Sequence, residues 1–223
     1  MIPLRDDNPT RAFAWVTVGL IGINIGAFGY EVLLRSQGAL EPFVRTYGLT
    51  PGLLTSNFQE PRVLLSLFTS MFLHGGYMHL LGNMLYLWIF GNNVEDAMGF
   101  SRFIFFYLLC GLVAVGTQVA VAPHSQIVII GASGAIAGVL GAYLIIFPEA
   151  EVYTLVTLGY FIRVVKLPAV LVLSFWIVVQ FLSSFGSLGV GGLGGVAWFA
   201  HIGGFLAGML LALPLRQRRR RWV

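Results

Sequence analysis

The sequence predicts an all-α polytopic membrane protein: a bundle of six transmembrane helices with a long first extracytoplasmic loop. Three observations predict it. Hydrophobic residues make up 57% of the chain and charged residues 10%, against roughly 45–50% and 25% in soluble domains. Six apolar runs follow one another, most of them near the roughly 20 residues that a helix needs to cross a bilayer. Basic residues gather on alternate connections, as in a chain that threads back and forth through a membrane. With 223 residues, the chain reads as one membrane domain, residues 1–223.

The first crossing is expected at about Ala12–Leu34. Its apolar run is longer than the core of a secretory leader and is followed by no evident small-residue cleavage site, so it reads as retained. A long segment from Arg35 to Gly75 follows. Its first part is polar and carries Pro42, Pro51 and Pro61. Its second part, Val63–Leu73, is apolar but only 11 residues long, which suits an interfacial or re-entrant segment. Loops of this length in small domains are often functional. The remaining crossings are expected at about Gly76–Asn93, Phe103–Val121, Ser133–Phe147, Leu167–Ser184 and Val196–Leu215. A glycine-rich stretch, Phe185–Gly195, precedes the last of them.

Orientation follows from charge. With both termini inside, ten Lys and Arg residues lie on the inner side (Arg5, Arg11, Arg102, Arg163, Lys166 and five in the tail). Arg35, Arg45 and Arg62 lie outside. The positive-inside rule therefore places both termini in the cytoplasm and the long loop outside a cell membrane. The net charge of +4 comes from the tail, residues 216–223, which suits anionic lipid rather than nucleic acid. The single cysteine, Cys110, excludes an intrachain disulfide.

Against this apolar background a few polar side chains stand out. Ser133 opens the fourth crossing among small residues, and Gly134 and Gly138 have the spacing by which membrane helices approach closely. His201 sits in the sixth crossing beside Gly203, Gly204 and Gly208. An ionisable side chain inside a span is a functional candidate by default. From Ser133 to Pro148 is 15 residues, and from His201 to Arg216 is also 15. At about 1.5 Å per residue both sit roughly 22 Å above the inner surface. His79 and Asn83, four apart on one face of the second span, stand roughly 24 and 18 Å above Glu95. Four polar groups thus share one depth.

A serine hydroxyl is a weak nucleophile until a base takes its proton, and an imidazole suits that task. An amide, an imidazole N–H and the Ser133 backbone N–H could stabilise an oxyanion. No carboxylate lies at this depth in the fourth or sixth span, so the arrangement read from the residues is a serine–histidine dyad. Each group also has a plainer role: His201, His79 and Asn83 as interhelical hydrogen-bonding residues, and His74 as a structural residue where the outer loop enters the second span. Zinc held by His74, His79 and His201 would match no helix-borne spacing such as H-E-x-x-H. No metal or other cofactor is expected.

The residues at this point resemble the rhomboid intramembrane serine proteases. The matching pieces are Phe72-Leu73-His74, His79-Leu80-Leu81-Gly82-Asn83-Met84, Phe90-Gly91, Glu95-Asp96 before Gly99, Gly131-Ala132-Ser133-Gly134 and Ala200-His201-Ile202-Gly203-Gly204. The resemblance runs from about Tyr47 to Gly208, within a rhomboid-like core of about 47–215. It implies Ser133 as nucleophile and His201 as general base. It also implies an oxyanion hole from His79, Asn83 and the Ser133 N–H, His74 as a shaper of the cavity, and Glu95 and Asp96 as structural residues. Trp176 and Phe181 on the fifth span would gate lateral access for substrate. The implied partners are the lipid bilayer and the transmembrane helices of substrate proteins. One departure is Ala137, one turn after Ser133, where family members often stack an aromatic ring on the catalytic histidine. Two other readings compete with the enzyme: a catalytically silent rhomboid-like protein that binds client helices, and a small-solute transporter. The transporter would show paired repeats or broken helices, and the two halves of the chain have no obvious repeat.

Overall fold

The structure, a computed structural model, describes residues 1–158, 161–189 and 197–217. Residues 190–195 of the glycine-rich loop and residues 218–223 of the tail lie outside that range. The chain begins with a strand, β1 (Ile2–Asp6), and then enters the first long helix, α1 (Trp15–Ser36). Three short helices fill the long loop: α2 (Leu40–Tyr47), α3 (Pro51–Ser56) and α4 (Pro61–Thr69). Pro51 and Pro61 each stand in the first turn of their helix, where the missing N–H costs nothing. A 3-10 turn, Ser70–Phe72, leads to α5 (Tyr77–Tyr86), a π-helical turn over Leu87–Gly91, and α6 (Asn92–Met98). Then come α7 (Phe100–Val121), α8 (Ser133–Ile146), the hairpin β2 (Glu151–Leu158) and β3 (Phe161–Pro168), α9 (Ala169–Gly189) and α10 (Trp198–Leu215).

Three of these helices, α1, α7 and α10, are long and apolar enough to cross a membrane. The segments Pro61–Phe72 and Tyr77–Met98 pass the same test as a pair, but the chain bends by 77° between them. The apolar stretch expected to be interfacial is thus the first arm of a bent element. Two further apolar stretches, α8 and the part Ala169–Ser184 of α9, are shorter.

In lipid, burying one apolar helix against another gains little, so close packing has to hold the helices together. Glycines make that packing possible where α8 meets α10. A Cβ on Gly204 would collide with the Gly134 carbonyl, one on Gly208 with the Gly138 carbonyl, and one on Gly141 with the Phe205 carbonyl. The far side of α8 is packed as tightly: Gly138 abuts Cys110 of α7. Phe90, Phe103, Phe106, Tyr107, Leu140 and Tyr143 are fully buried around this centre.

The end of the bundle that carries β1 is tied by charge and by a sheet. Glu95 accepts the N–H groups of Val16 (2.9 Å) and Thr17 (2.8 Å) and the Thr17 hydroxyl (2.8 Å). It thereby satisfies first-turn donors that α1 cannot satisfy itself, at the end favoured by the helix dipole. Gly99 holds φ +80° between α6 and α7, a conformation that favours glycine.

The all-α expectation needs correction, because the structure contains a three-stranded antiparallel sheet in the order β1-β2-β3. Val152-Tyr153-Thr154-Leu155-Val156-Thr157 is rich in β-branched residues, which suits a pleated, half-buried surface. Val152 and Thr154 are fully buried, whereas Ile162 and Val164 of β3 are exposed. β1 pairs Ile2 with Leu155 and Asp6 with Val152. Asp6 also accepts from Asn93 Nδ2 (2.7 Å) and the Tyr143 hydroxyl (2.6 Å), tying the strand to α6 and α8. The hairpin uses Leu167 and Pro168, so the fifth apolar helix begins at Ala169.

Candidate active site

Ser133 is the first residue of α8. The N–H groups of a helix's first turn have no partner within their own helix, and the dipole makes that end attractive to negative charge. The turn before it is set by Gly131, whose φ is +123° and whose N–H donates to the Ser70 carbonyl at 2.8 Å. His201 lies in the first turns of α10, and the glycine contact between α8 and α10 brings the two side chains together. Ser133 Oγ stands 2.8 Å from His201 Nε2.

The other ring nitrogen of His201 has a partner that sequence reasoning missed. Gln180 Oε1, from α9, stands 2.7 Å from His201 Nδ1. A carbonyl oxygen only accepts, so Nδ1 carries the proton and Nε2 presents its lone pair to the serine hydroxyl. Two indoles flank the ring: Trp176 with centroids 5.9 Å apart and Trp198 edge-on at 6.1 Å. Trp176 also stacks on Phe205 at 6.0 Å. Ala137 is fully buried, so the imidazole is framed by α9 and α10 rather than from the turn after Ser133.

His79 and Asn83 of α5 reach the same hollow. His79 Nδ1 accepts the Gly75 N–H at 3.3 Å, which leaves the ring proton on Nε2. The missing side chain of Gly131 marks the space in front of it: a Cβ there would stand 2.7 Å from His79 Nε2 and 3.5 Å from Ser133 Oγ. Asn83 is buried, and its Nδ2 lies 3.0 Å from His74 Nε2. His74 does not line this hollow. It stands behind Asn83, with its backbone N–H held by the buried Glu31 carboxylate at 3.0 and 3.3 Å. Because its Nε2 accepts from Asn83, its own ring proton is on Nδ1.

These groups line a cavity of about 630 Å³ with Met78, Tyr86, Ala114, Ile130, Trp176 and Trp198. The proposed gate residues separate here. Trp176 is part of the cavity wall, while Phe181 is half exposed on the outside of the same helix. Among the described residues, no group of three His, Cys, Asp or Glu side chains is placed to hold a metal ion.

A largely helical membrane protein with a serine and an imidazole in hydrogen-bond contact is what fold and site define together. Residues 61–218 match the Rhomboid domain, and the chain belongs to the rhomboid family. It is 29% identical over 222 residues to RHOMBOID-like protein 1 of Arabidopsis thaliana, a match covering 89% of this chain and 52% of that protein. It is 35% identical over 152 residues to RHOMBOID-like protein 5 of the same plant, covering 68% and 44%. To Rhomboid protease GluP of Bacillus subtilis it is 35% identical over 148 residues, covering 66% of this chain and 26% of that one. The chain thus spans about half the length of these relatives or less.

Proposed function

We propose that this protein is an intramembrane serine endopeptidase that cuts transmembrane segments of other membrane proteins. The observation that carries the reading is the 2.8 Å contact between Ser133 Oγ and His201 Nε2, with the tautomer set from the opposite side of the ring. In the reaction, the Ser133 hydroxyl attacks the scissile carbonyl while His201 Nε2 takes its proton. The oxyanion that develops is met by the Ser133 N–H, His79 Nε2–H and an Asn83 amide hydrogen. Imidazolium then gives its proton to the departing amine, leaving an acyl-enzyme. Water, with His201 again as base, releases the acid and restores the serine. Support also comes from a relative of the same family that is named a protease. Helical substrate must unwind before its carbonyls are open to attack, so small and helix-breaking residues are expected at the cut.

We infer further that the chain crosses a cell membrane six times with both termini cytoplasmic. The basic residues support this, as do the two shorter apolar stretches, α8 and Ala169–Ser184 of α9. The proposed site would then open toward the outer side, and α9 would form the lateral wall by which substrate enters, with Trp176 and Phe181 as its bulky gate residues. The test is a fluorophosphonate probe on detergent-solubilised protein. Labelling of wild type, with none of Ser133→Ala or His201→Ala, is the expected result. A wild type that takes no label and cuts no transmembrane peptide would instead favour a silent client-binding protein.

A further inference from the structure

We propose that Gln180 is a positioning residue for His201, selecting the tautomer in which the imidazole serves as a base. The inference rests on the serine-protease reading and assigns a third member to its proton-handling group. Neutral imidazole has two tautomers, and the partner of one nitrogen decides which face of the ring bears the proton. With Gln180 Oε1 at 2.7 Å from Nδ1, the proton is held there and the lone pair on Nε2 meets the serine hydroxyl. The other tautomer would direct an N–H at Ser133 Oγ, and the hydroxyl would have no acceptor for its proton.

The surroundings argue for orientation rather than general interhelical adhesion. Gln180 is 7% exposed and faces the same cavity as Ser133. Four residues earlier on the same helix face, Trp176 packs on the imidazole ring. The two side chains grip the ring at two points from one element, one fixing its plane and the other its proton. On the α8 side there is no room for such a grip: Ala137 is fully buried, and Gly134 and Gly204 put the backbones of α8 and α10 in contact. An amide also suits the location. It supplies an acceptor without placing a second ionisable group inside a span, where charge is costly.

The test uses the whole protein in detergent with ¹⁵N-labelled histidine, the His201 signals being identified by their absence from His201→Ala. Wild type is expected to show one neutral tautomer of His201, protonated at Nδ1. Gln180→Met, which keeps length but removes the acceptor, is expected to show both tautomers. It should lower kcat on a transmembrane peptide by about 10- to 100-fold, with KM within about twofold. Gln180→Glu, which retains an acceptor oxygen, should recover most of the loss. Protonation at Nε2 in wild type would overturn the proposal even if the Met variant failed to fold. So would a Met variant with wild-type kcat, or one slowed with its tautomer unchanged. Failure of wild type to take the fluorophosphonate would count against the protease reading instead, and the tautomer would still report on Gln180.

Discussion

Asn83 Nδ2 donates to His74 Nε2 across 3.0 Å, so one of the two amide hydrogens is committed away from the cavity and the other is left toward it. His74 thereby sets the angle of Asn83 without touching the reacting atoms. Asn83→Ala should lower kcat by about 10²- to 10³-fold, the usual cost of losing an oxyanion donor. His74→Phe should cost about tenfold, because the amide stays but loses its support. Steady-state cleavage of a transmembrane peptide gives the order, and a larger loss for His74→Phe than for Asn83→Ala would contradict it.

Trp176 and Phe181 share α9 but not an environment. Phe181→Ala, which shortens an outward side chain at the proposed gate, should raise turnover. Trp176→Ala mixes two effects, since the ring that would block access also packs on His201. Its KM for a transmembrane substrate should fall while its reactivity toward a small fluorophosphonate falls as well. Turnover unchanged by Phe181→Ala would remove that residue from the gate.

Gly208 has no space for a side chain, since any Cβ meets the Gly138 carbonyl. Gly208→Ala should destabilise the protein by about 1–3 kcal/mol, the range for overpacking a close-packed contact. Thermal unfolding in detergent measures it. Gly82, with nothing within 4 Å of a built Cβ, is the control, and Gly82→Ala should leave stability within about 1 kcal/mol.

The Glu95 carboxylate satisfies three donors at the start of α1. Glu95→Ala should cost about 1–3 kcal/mol through the donors left buried. Hydrogen exchange should rise first at the amides of Val16 and Thr17. Equal protection of those amides in both proteins would show that the cap is dispensable.

Burial raises the Asp6 carboxyl above its ordinary 3.8, outweighing the pull of the Tyr143 hydroxyl, and neighbouring Asp7 adds to the rise. The folded state therefore holds this proton to higher pH than the unfolded chain does. The stability it contributes is full below the unfolded value of about 3.8 and is lost as pH rises through the raised folded value. Relative to Asp6→Asn, wild type should lose thermal stability as pH rises above about 3.8. A gain over that interval would reverse the assignment.

The central features could be read from the residues because membrane depth is a one-dimensional coordinate. Equal counts from Ser133 to Pro148 and from His201 to Arg216 sufficed to put them level, and the small residues around both marked the helices able to touch. Gln180 was not legible in the same way: it lies within an apolar run, and nothing in spacing says which face of α9 turns toward α10. The hairpin was overlooked for a related reason. Its β-branched run over Val152–Thr157 was present, but its partner strand merges into the apolar run of α9, and β1 is separated from its partner by about two thirds of the chain. His74 lies before α5, so spacing along the helix could not place it; its ring meets His79 edge-on, with centroids 5.1 Å apart. The structure shows that its ring nitrogen Nε2 meets Asn83, reached across the turn before α5.

The backbone contact between Gly134 and Gly204, and again between Gly138 and Gly208, makes α8 and α10 behave as a single rigid strut. The spacing of hydroxyl and imidazole is then set by the fold and is insulated from the surrounding lipid. If the proposed transmembrane substrate is right, changing acyl-chain length should alter how readily it reaches the hollow, while the intrinsic reactivity of Ser133 toward a small electrophile stays constant.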